Sequence, residues 1–278
     1  MDASFIKVNH HRLRKYAKSC VIVAGLALAC SAQGNIPPSE KELGEITQRG
    51  RMLAAYDAAS WQATDAVLLL KPAEASGQRY LAKKTNVGWE VVFGRLNESK
   101  DHFSIAYEAE QKAGVTQFTA RKCEPPIEDS QFYLFAARAI ETVLADFSAN
   151  QPPYNVAVLP AQGDQLYVYI YPASTSRDVF RMGGDARYLI SSDGMTIVEK
   201  RQLHRTVIEN KLSTEKVTPQ SGYHTHVLSD VPEDTDVFYV LSRKPSIKEY
   251  VASAKFFYQI DPDGAIHYLG ETSKVLKK

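Results

Sequence analysis

The strongest constraint on the fold is one amphipathic segment that interrupts a chain otherwise rich in strand-like alternation. Its apolar residues recur at i, i+3, i+4 and i+7, the spacing of an α-helix with one buried face. They are Phe132, Phe135, Ala136, Ala139, Ile140, Val143, Leu144 and Phe147. Asp129 precedes the stripe and is suited to cap the helix. We predict a helix between Asp129 and residue 148 that buries this stripe against a sheet.

A second helix is predicted from Leu43 to Leu70, where Pro72 marks the stop. Its apolar residues recur at roughly helical spacing. They are Ile46, Leu53, Tyr56, Ala63 and Val67. The polar stretch before it, residues 30–42, contains two adjacent prolines and is typical of a tether.

The rest of the chain alternates like β-strands. Residues 79–122 contain YLAKK, GWEVVFGRL, FSIAYEAE and TQFTARK. Residues 154–270 contain YNVAVL, QLYVYIY, ARYLISS, MTIVEKRQL, HTHVL, TDVFYVL, KFFYQI and AIHYLG. Asp193-Gly194 and Asp263-Gly264 are typical of tight hairpin turns, and Ser246–Ser253 is predicted to be a short helix. The pattern predicts an α+β fold with two long helices packed on largely antiparallel, meander-type β-sheets.

Composition limits the classes of partner. The chain carries 33 basic and 32 acidic residues, and five of the basic ones with one acidic one lie in residues 1–29. The remainder is slightly acidic, which argues against binding nucleic acid. We predict a single α+β domain over residues 43–278, with 43–150 and 151–278 as its two sub-halves.

The first 29 residues have the order of a bacterial secretory signal: a basic head, a ten-residue uncharged apolar run from Cys20, then small residues. The Ala27-Leu28-Ala29-Cys30 ending resembles the lipobox of exported lipoproteins. The resemblance implies cleavage before Cys30, acylation of its thiol and a membrane anchor, and Ser31 favours the outer membrane. The alternative is ordinary signal cleavage, which gives a soluble periplasmic protein.

Cys123 would then be the only thiol of the mature domain that is free of lipid, and it is predicted to be a buried small hydrophobe. If Cys30 is not acylated and stays in the mature chain, a disulfide between Cys30 and Cys123 is the alternative.

The candidate for divalent metal binding is the pair His224 and His226. On a strand, residues i and i+2 share a face, so both imidazoles can reach one ion. Such a site needs further ligands, and the spacing leaves four candidates open. Asp230 and His204 lie nearby in sequence, while His102 and His267 are more distant. The alternative is a polar edge strand.

Two further features suggest a surface for a ligand or a partner. Tyr167, Tyr169 and Tyr171 alternate along one predicted strand, and tyrosine gives a large contact area at low entropic cost. Arg181 and Arg187 flank a Gly-Gly pair, where the backbone can approach an anion held by the two guanidinium groups.

No segment carries a motif specific enough to name a reaction. The leading hypothesis is a cell-envelope lipoprotein that acts as a non-enzymatic binding or interaction protein, for example an inhibitor or immunity-type protein with a protein partner. A metal-binding protein or metal-dependent hydrolase built on His224 and His226 is the first alternative. An envelope structural or assembly factor is the second.

Overall fold

The computed structural model describes residues 36–72, 78–112, 114–148, 153–174, 179–211 and 220–277. The predicted signal, Cys30 and residues 31–35 of the predicted tether lie outside these ranges. Four α-helices occur in the described residues: α1 (Glu40–Leu68), α2 (Phe132–Asp146), α3 (Asp234–Ser242) and α4 (Thr272–Val275). No helix in these ranges is long and apolar enough to cross a membrane.

The strands of the described chain form three four-stranded sheets and one two-stranded ribbon. The first sheet contains β1 (Arg79–Lys84), β2 (Trp89–Leu96), β3 (Phe103–Gln111) and β4 (Phe118–Asp129) in that order. The strands that follow are β5 (Tyr154–Pro160), β6 (Leu166–Pro172), β7 (Val179–Met182), β8 (Ala186–Ile190), β9 (Ile197–Gln202) and β10 (Ile208–Lys211). The last four are β11 (Ser221–Thr225), β12 (Lys248–Ala252), β13 (Phe256–Ile260) and β14 (Ile266–Glu271).

The second sheet has the order β5-β6-β8-β9 and the third β11-β12-β13-β14, while β7 pairs with β10. Every pairing is antiparallel except that of β11 with β12. The prediction of a mixed fold with mostly antiparallel sheets is confirmed.

The two long helices lie on opposite faces of the first and second sheets. Along β6, Val168 and Ile170 join the buried cluster that contains α2, whereas Tyr169 and Tyr171 join the cluster that contains α1. This is the two-residue alternation of a strand that is covered on both sides. The sheet therefore forms a middle layer, and neither of its faces is open to solvent at these positions.

Local sequence signals explain where the two helices begin. The Ser39 hydroxyl accepts a hydrogen bond from the backbone N–H of Glu42, so α1 starts three residues before its predicted bound. Asp129 does cap α2, because its Oδ1 accepts from the N–H groups of three residues that have no partner within the helix. These are Gln131, Tyr133 and Leu134.

Two predicted elements are wrong, and tertiary packing explains both. The segment TDVFYVL, expected as a strand, belongs to α3, where Val237 and Val240 pack against α1 and a capping box fixes the first turn. Gly50 of α1 faces this crossing, where an added Cβ would meet Val237 at 2.5 Å. The expected short helix at Ser246–Ser253 is instead β12, held between β11 and β13. The fold therefore has a third helix beside the two long ones.

The hairpin turns predicted at Asp193-Gly194 and Asp263-Gly264 are present. Gly194 and Gly264 adopt φ values of 79° and 87°, which favour glycine. The described residues from Pro37 onward form one compact unit.

Candidate metal centre

Four ligand-type side chains meet where the second sheet, the third sheet and α3 come together. His204 follows the end of β9, His224 lies in β11, His226 comes one residue after β11, and Asp236 lies in the first turn of α3. The backbone N–H of His226 donates to the carbonyl of Ala252. This bond continues the pairing with β12, so His224 and His226 stay on the same side of the sheet.

The ligand atoms of these four residues lie within 4.8 Å of one another. The Nε2 atom of His226 is 3.0 Å from that of His204 and 3.2 Å from that of His224. The Oδ1 atom of Asp236 is 3.1 Å from both His204 Nε2 and His224 Nε2, and Oδ2 is 3.0 Å from His226 Nε2. Four ligands held about 2.0–2.1 Å from a tetrahedral zinc ion lie roughly 3.3–3.4 Å apart, which is close to the 3.0–3.2 Å contacts and inside the 4.8 Å limit of the whole set.

The outer nitrogen of each imidazole faces an oxygen that accepts a hydrogen bond. Nδ1 contacts join His204 to the Asp185 carboxylate (2.8 Å), His224 to the Glu249 carboxylate (3.0 Å) and His226 to the Val231 carbonyl (2.9 Å). A neutral imidazole has one N–H, and these acceptors place it on Nδ1. Three Nε2 lone pairs then point at one position, which is the arrangement seen around protein-bound metals.

Asp236 has one oxygen free for such an ion. Its Oδ2 accepts a hydrogen bond of 2.7 Å from the backbone N–H of Glu233. Its Oδ1 is fully buried and accepts no hydrogen bond of regular geometry from any described residue. When the three Nε2 atoms carry no proton, this buried oxygen has no donor, which is costly, and a cation at the meeting point of the three Nε2 atoms would satisfy it.

The charged groups in and around the four residues also favour a cation. Asp185, Glu249 and Asp236 bring three carboxylates, while Arg243 donates to Glu249 Oε2 at 2.7 Å and brings one positive charge. All of these groups are buried. With neutral histidines, the group retains two negative charges in a low-dielectric setting, and one divalent ion balances them.

Without a cation, the same carboxylates draw protons onto the imidazoles of His204 and His224. Burial opposes the charged form of His204, but Asp185 and Asp236 outweigh it and raise its pKa to about 11. Burial likewise opposes protonation of His224, and Asp236 and Glu249 raise its pKa to about 9. Burial would raise the pKa of Asp236, yet the surrounding histidines hold it well below its usual value. Protons and a metal ion therefore compete for the same Nε2 atoms.

Polar contacts fix the first turn of α3 and hence the position of Asp236. The neighbouring Asp234 accepts from Arg49 of α1 at 2.9 Å, from Arg187 of β8 at 2.5 Å and from the Tyr169 hydroxyl at 2.9 Å. Glu233 pairs with Arg201 of β9 at 2.6 Å. Asp236 therefore lies in a helix end that is bound to the second sheet and to α1.

The tyrosines predicted to form an exposed binding surface are buried or half-buried. Tyr169 and Tyr171 are 0% and 3% exposed, because α1 covers their face of β6. The Tyr171 hydroxyl donates to Asp57 at 2.7 Å, and the half-buried Tyr167 lies under the Arg187 guanidinium at 4.9 Å. The expectation of an exposed three-tyrosine surface is therefore wrong for this sheet.

Arg181 and Arg187 also do not converge on one anion. Arg181 pairs with Glu209 on the neighbouring β10, whereas Arg187 is buried against Asp234. Gly183 lies with its φ at 78° where an added Cβ would be 2.3 Å from the Thr206 carbonyl oxygen. The glycine is explained by this close approach of two backbone segments.

The histidine pair is brought together with His204, one of the candidate ligands that the spacing left open. The other three lie elsewhere: Asp230 pairs with Lys255, and the exposed His102 and His267 pair with Asp101 and Asp261. Asp236 is not among the predicted ligands, because its segment is predicted to be a strand. The available signal was the pair Glu233 and Asp236, three residues apart as in a capping box.

Comparisons with known proteins find no match for the chain, whether with family models, with curated proteins or with solved structures.

Proposed function

We propose that this chain is a metal-binding protein in which His204, His224, His226 and Asp236 hold one zinc ion. The observation that carries the proposal is the convergence, within 4.8 Å, of three Nε2 atoms and one buried carboxylate oxygen that accepts no regular hydrogen bond from a described residue. Hydrogen bonds to the outer nitrogens orient all three imidazoles toward the same position.

Zinc suits this set of ligands better than the hard cations do. Imidazole nitrogens with one carboxylate at tetrahedral spacing are typical zinc ligands, whereas magnesium and calcium prefer six or more oxygens. Nickel and copper also bind imidazole but favour square-planar or tetragonal sites. The spacing of the ligand atoms therefore makes zinc the first choice.

The centre supports a structural role for the metal better than a hydrolytic one. Catalytic zinc keeps one position open for water or substrate, whereas here four protein groups supply a complete tetrahedral set. The His204 side chain is 11% exposed and the Asp236 side chain 0%. The ion would join the end of β9, the end of β11 and the start of α3, three segments that no disulfide links.

We further propose that the protein belongs to the bacterial envelope and is anchored through acylated Cys30, as the lipobox-like sequence suggests. A protein partner remains part of this proposal, with its contact surface away from the buried tyrosines. Labelling with a radioactive fatty acid tests the anchor. We expect label on the natural chain and none on Cys30→Ser, and equal labelling of both would contradict it.

Elemental analysis of protein prepared without a polyhistidine tag tests the metal assignment. We expect about one zinc per chain, retained through dialysis against buffer without chelator. A preparation grown with added zinc that still contains less than roughly 0.1 zinc and no other transition metal per chain would overturn the proposal.

A further inference from the structure

A second site lies between the C-terminal half of α1 and the first sheet and shares no residue with the metal centre. It is a cavity of about 300 Å³. Trp61 and Val67 line it from the helix, and Tyr80, Phe93 and Tyr107 line it from the strands. This volume is at the lower end of the range for small-molecule sites, which are concave and mostly apolar.

Three of the polar side chains at the wall are neutral and available for a ligand. The side chains of Gln78 and Asn155 line the cavity, and neither makes a hydrogen bond to another described residue. The hydroxyl of Tyr80 also makes no hydrogen bond to another described residue. A few converging polar groups in an apolar wall are what orients a small ligand.

Among the residues that the structure describes, no charged side chain lines the cavity. Burial raises the pKa of the Tyr80 hydroxyl, and Tyr56 and Asp57 raise it further, so this hydroxyl stays protonated at neutral pH. An ionic ligand would lose its hydration here without gaining a counter-charge. The lining therefore selects for a neutral molecule.

The mouth of the cavity carries exposed apolar side chains. Trp61 is 59% exposed and Leu68, seven residues later on the same helix, is 54% exposed. Large apolar side chains left in water beside an apolar cavity indicate a binding site, and an exposed tryptophan ring offers a face for stacking.

We propose that this cavity binds a neutral aromatic small molecule, which stacks on Trp61 and makes hydrogen bonds to the amides of Gln78 and Asn155. The inference does not depend on the metal centre, because the two sites are built from different residues.

Isothermal titration of the full protein with 1-naphthol as the neutral probe tests this proposal. Naphthalene-1-sulfonate serves as the charged probe of similar size. We expect saturable 1:1 binding of naphthol and at least about tenfold weaker binding of the sulfonate, because nothing in the wall compensates the anion. Equal affinity for both probes, or no saturable binding of naphthol, would overturn the proposal.

Two variants locate the site. Trp61→Ala removes the stacking surface, and Asn155→Leu removes one amide while keeping a similar volume. Each should weaken naphthol binding at least about tenfold. Val198→Ala is the matched control, since Val198 is 53% exposed on β9 and does not line the cavity. Far-UV circular dichroism and the thermal midpoint verify the fold of each variant, and unchanged affinity in folded Trp61→Ala would contradict the assignment.

The same chemistry could come from an aromatic side chain of a peptide, so N-acetyltryptophanamide forms a further arm. We expect it to bind more weakly than naphthol, because its two amide groups would lose hydration against a mostly apolar wall. Tighter binding than naphthol would overturn the small-molecule assignment in favour of a peptide.

Discussion

Replacing Asp236 with asparagine should reduce the affinity for zinc more than any change outside the four ligands. The substitution keeps the shape of the side chain, but a neutral amide is a poor ligand for zinc. It also removes one of the charges that favour a divalent ion in this buried group. We expect a loss beyond the roughly 10–100-fold range that is typical of residues behind the ligands. Competition with a chromophoric chelator measures the affinity.

A graded pair of variants controls this experiment. Glu249→Gln changes the partner of His224 Nδ1 and should cost roughly 10–100-fold in zinc affinity, because the amide can still accept the hydrogen bond weakly. Asp65→Asn makes the same chemical change as Asp236→Asn at an exposed position of α1 and should leave the affinity unchanged. A loss in Asp236→Asn no greater than that in Asp65→Asn would exclude Asp236 as a ligand.

Removing zinc should lower the thermal midpoint of the natural protein by about 8–16 °C. A ligand present at a thousand times its dissociation constant stabilises the folded state by about 4.1 kcal/mol. In a domain of this size, each kcal/mol corresponds to about 2–4 °C. Calorimetry of the protein with zinc in that excess, and after dialysis against a chelator, gives the two midpoints.

Removal of zinc should reduce the protection of backbone amides from hydrogen exchange unevenly across the fold. We expect hydrogen exchange to accelerate first in α3 and β11, which carry ligands, and least in α2, which contributes none. Re-addition of zinc should restore both the midpoint and the exchange pattern. Equal midpoints with and without zinc, in a protein shown to bind it, would contradict a structural role.

Sequence periodicity predicted the histidine pair but could not complete the site. The spacing of His224 and His226 is sufficient to place both imidazoles on one side of a strand, and the structure does so. His204 comes from the second sheet, and only the packing of that sheet against the third brings it near. Asp236 needs α3 to be a helix, whereas its valines and aromatic residues favour a strand. Contact with α1 favours the helical conformation of that segment, and sequence periodicity does not report such contacts.

The tyrosines of β6 show the same limit. Alternation correctly separated Tyr169 and Tyr171 from Val168 and Ile170. It could not show that α1 covers the tyrosine face, because periodicity tells which residues share a face and not what packs on it. The signals that did hold were local ones, such as Asp129 before α2 and Gly194 and Gly264 in their turns.

X-ray absorption at the zinc edge of the untagged protein tests the central claim most directly, because it gives both the metal and the number and kind of its ligands. The proposed centre predicts four nitrogen or oxygen ligands at about 2.0–2.1 Å, three of them with the scattering pattern of imidazole. One imidazole or none, or a fifth ligand from water, would contradict a closed centre built from His204, His224, His226 and Asp236.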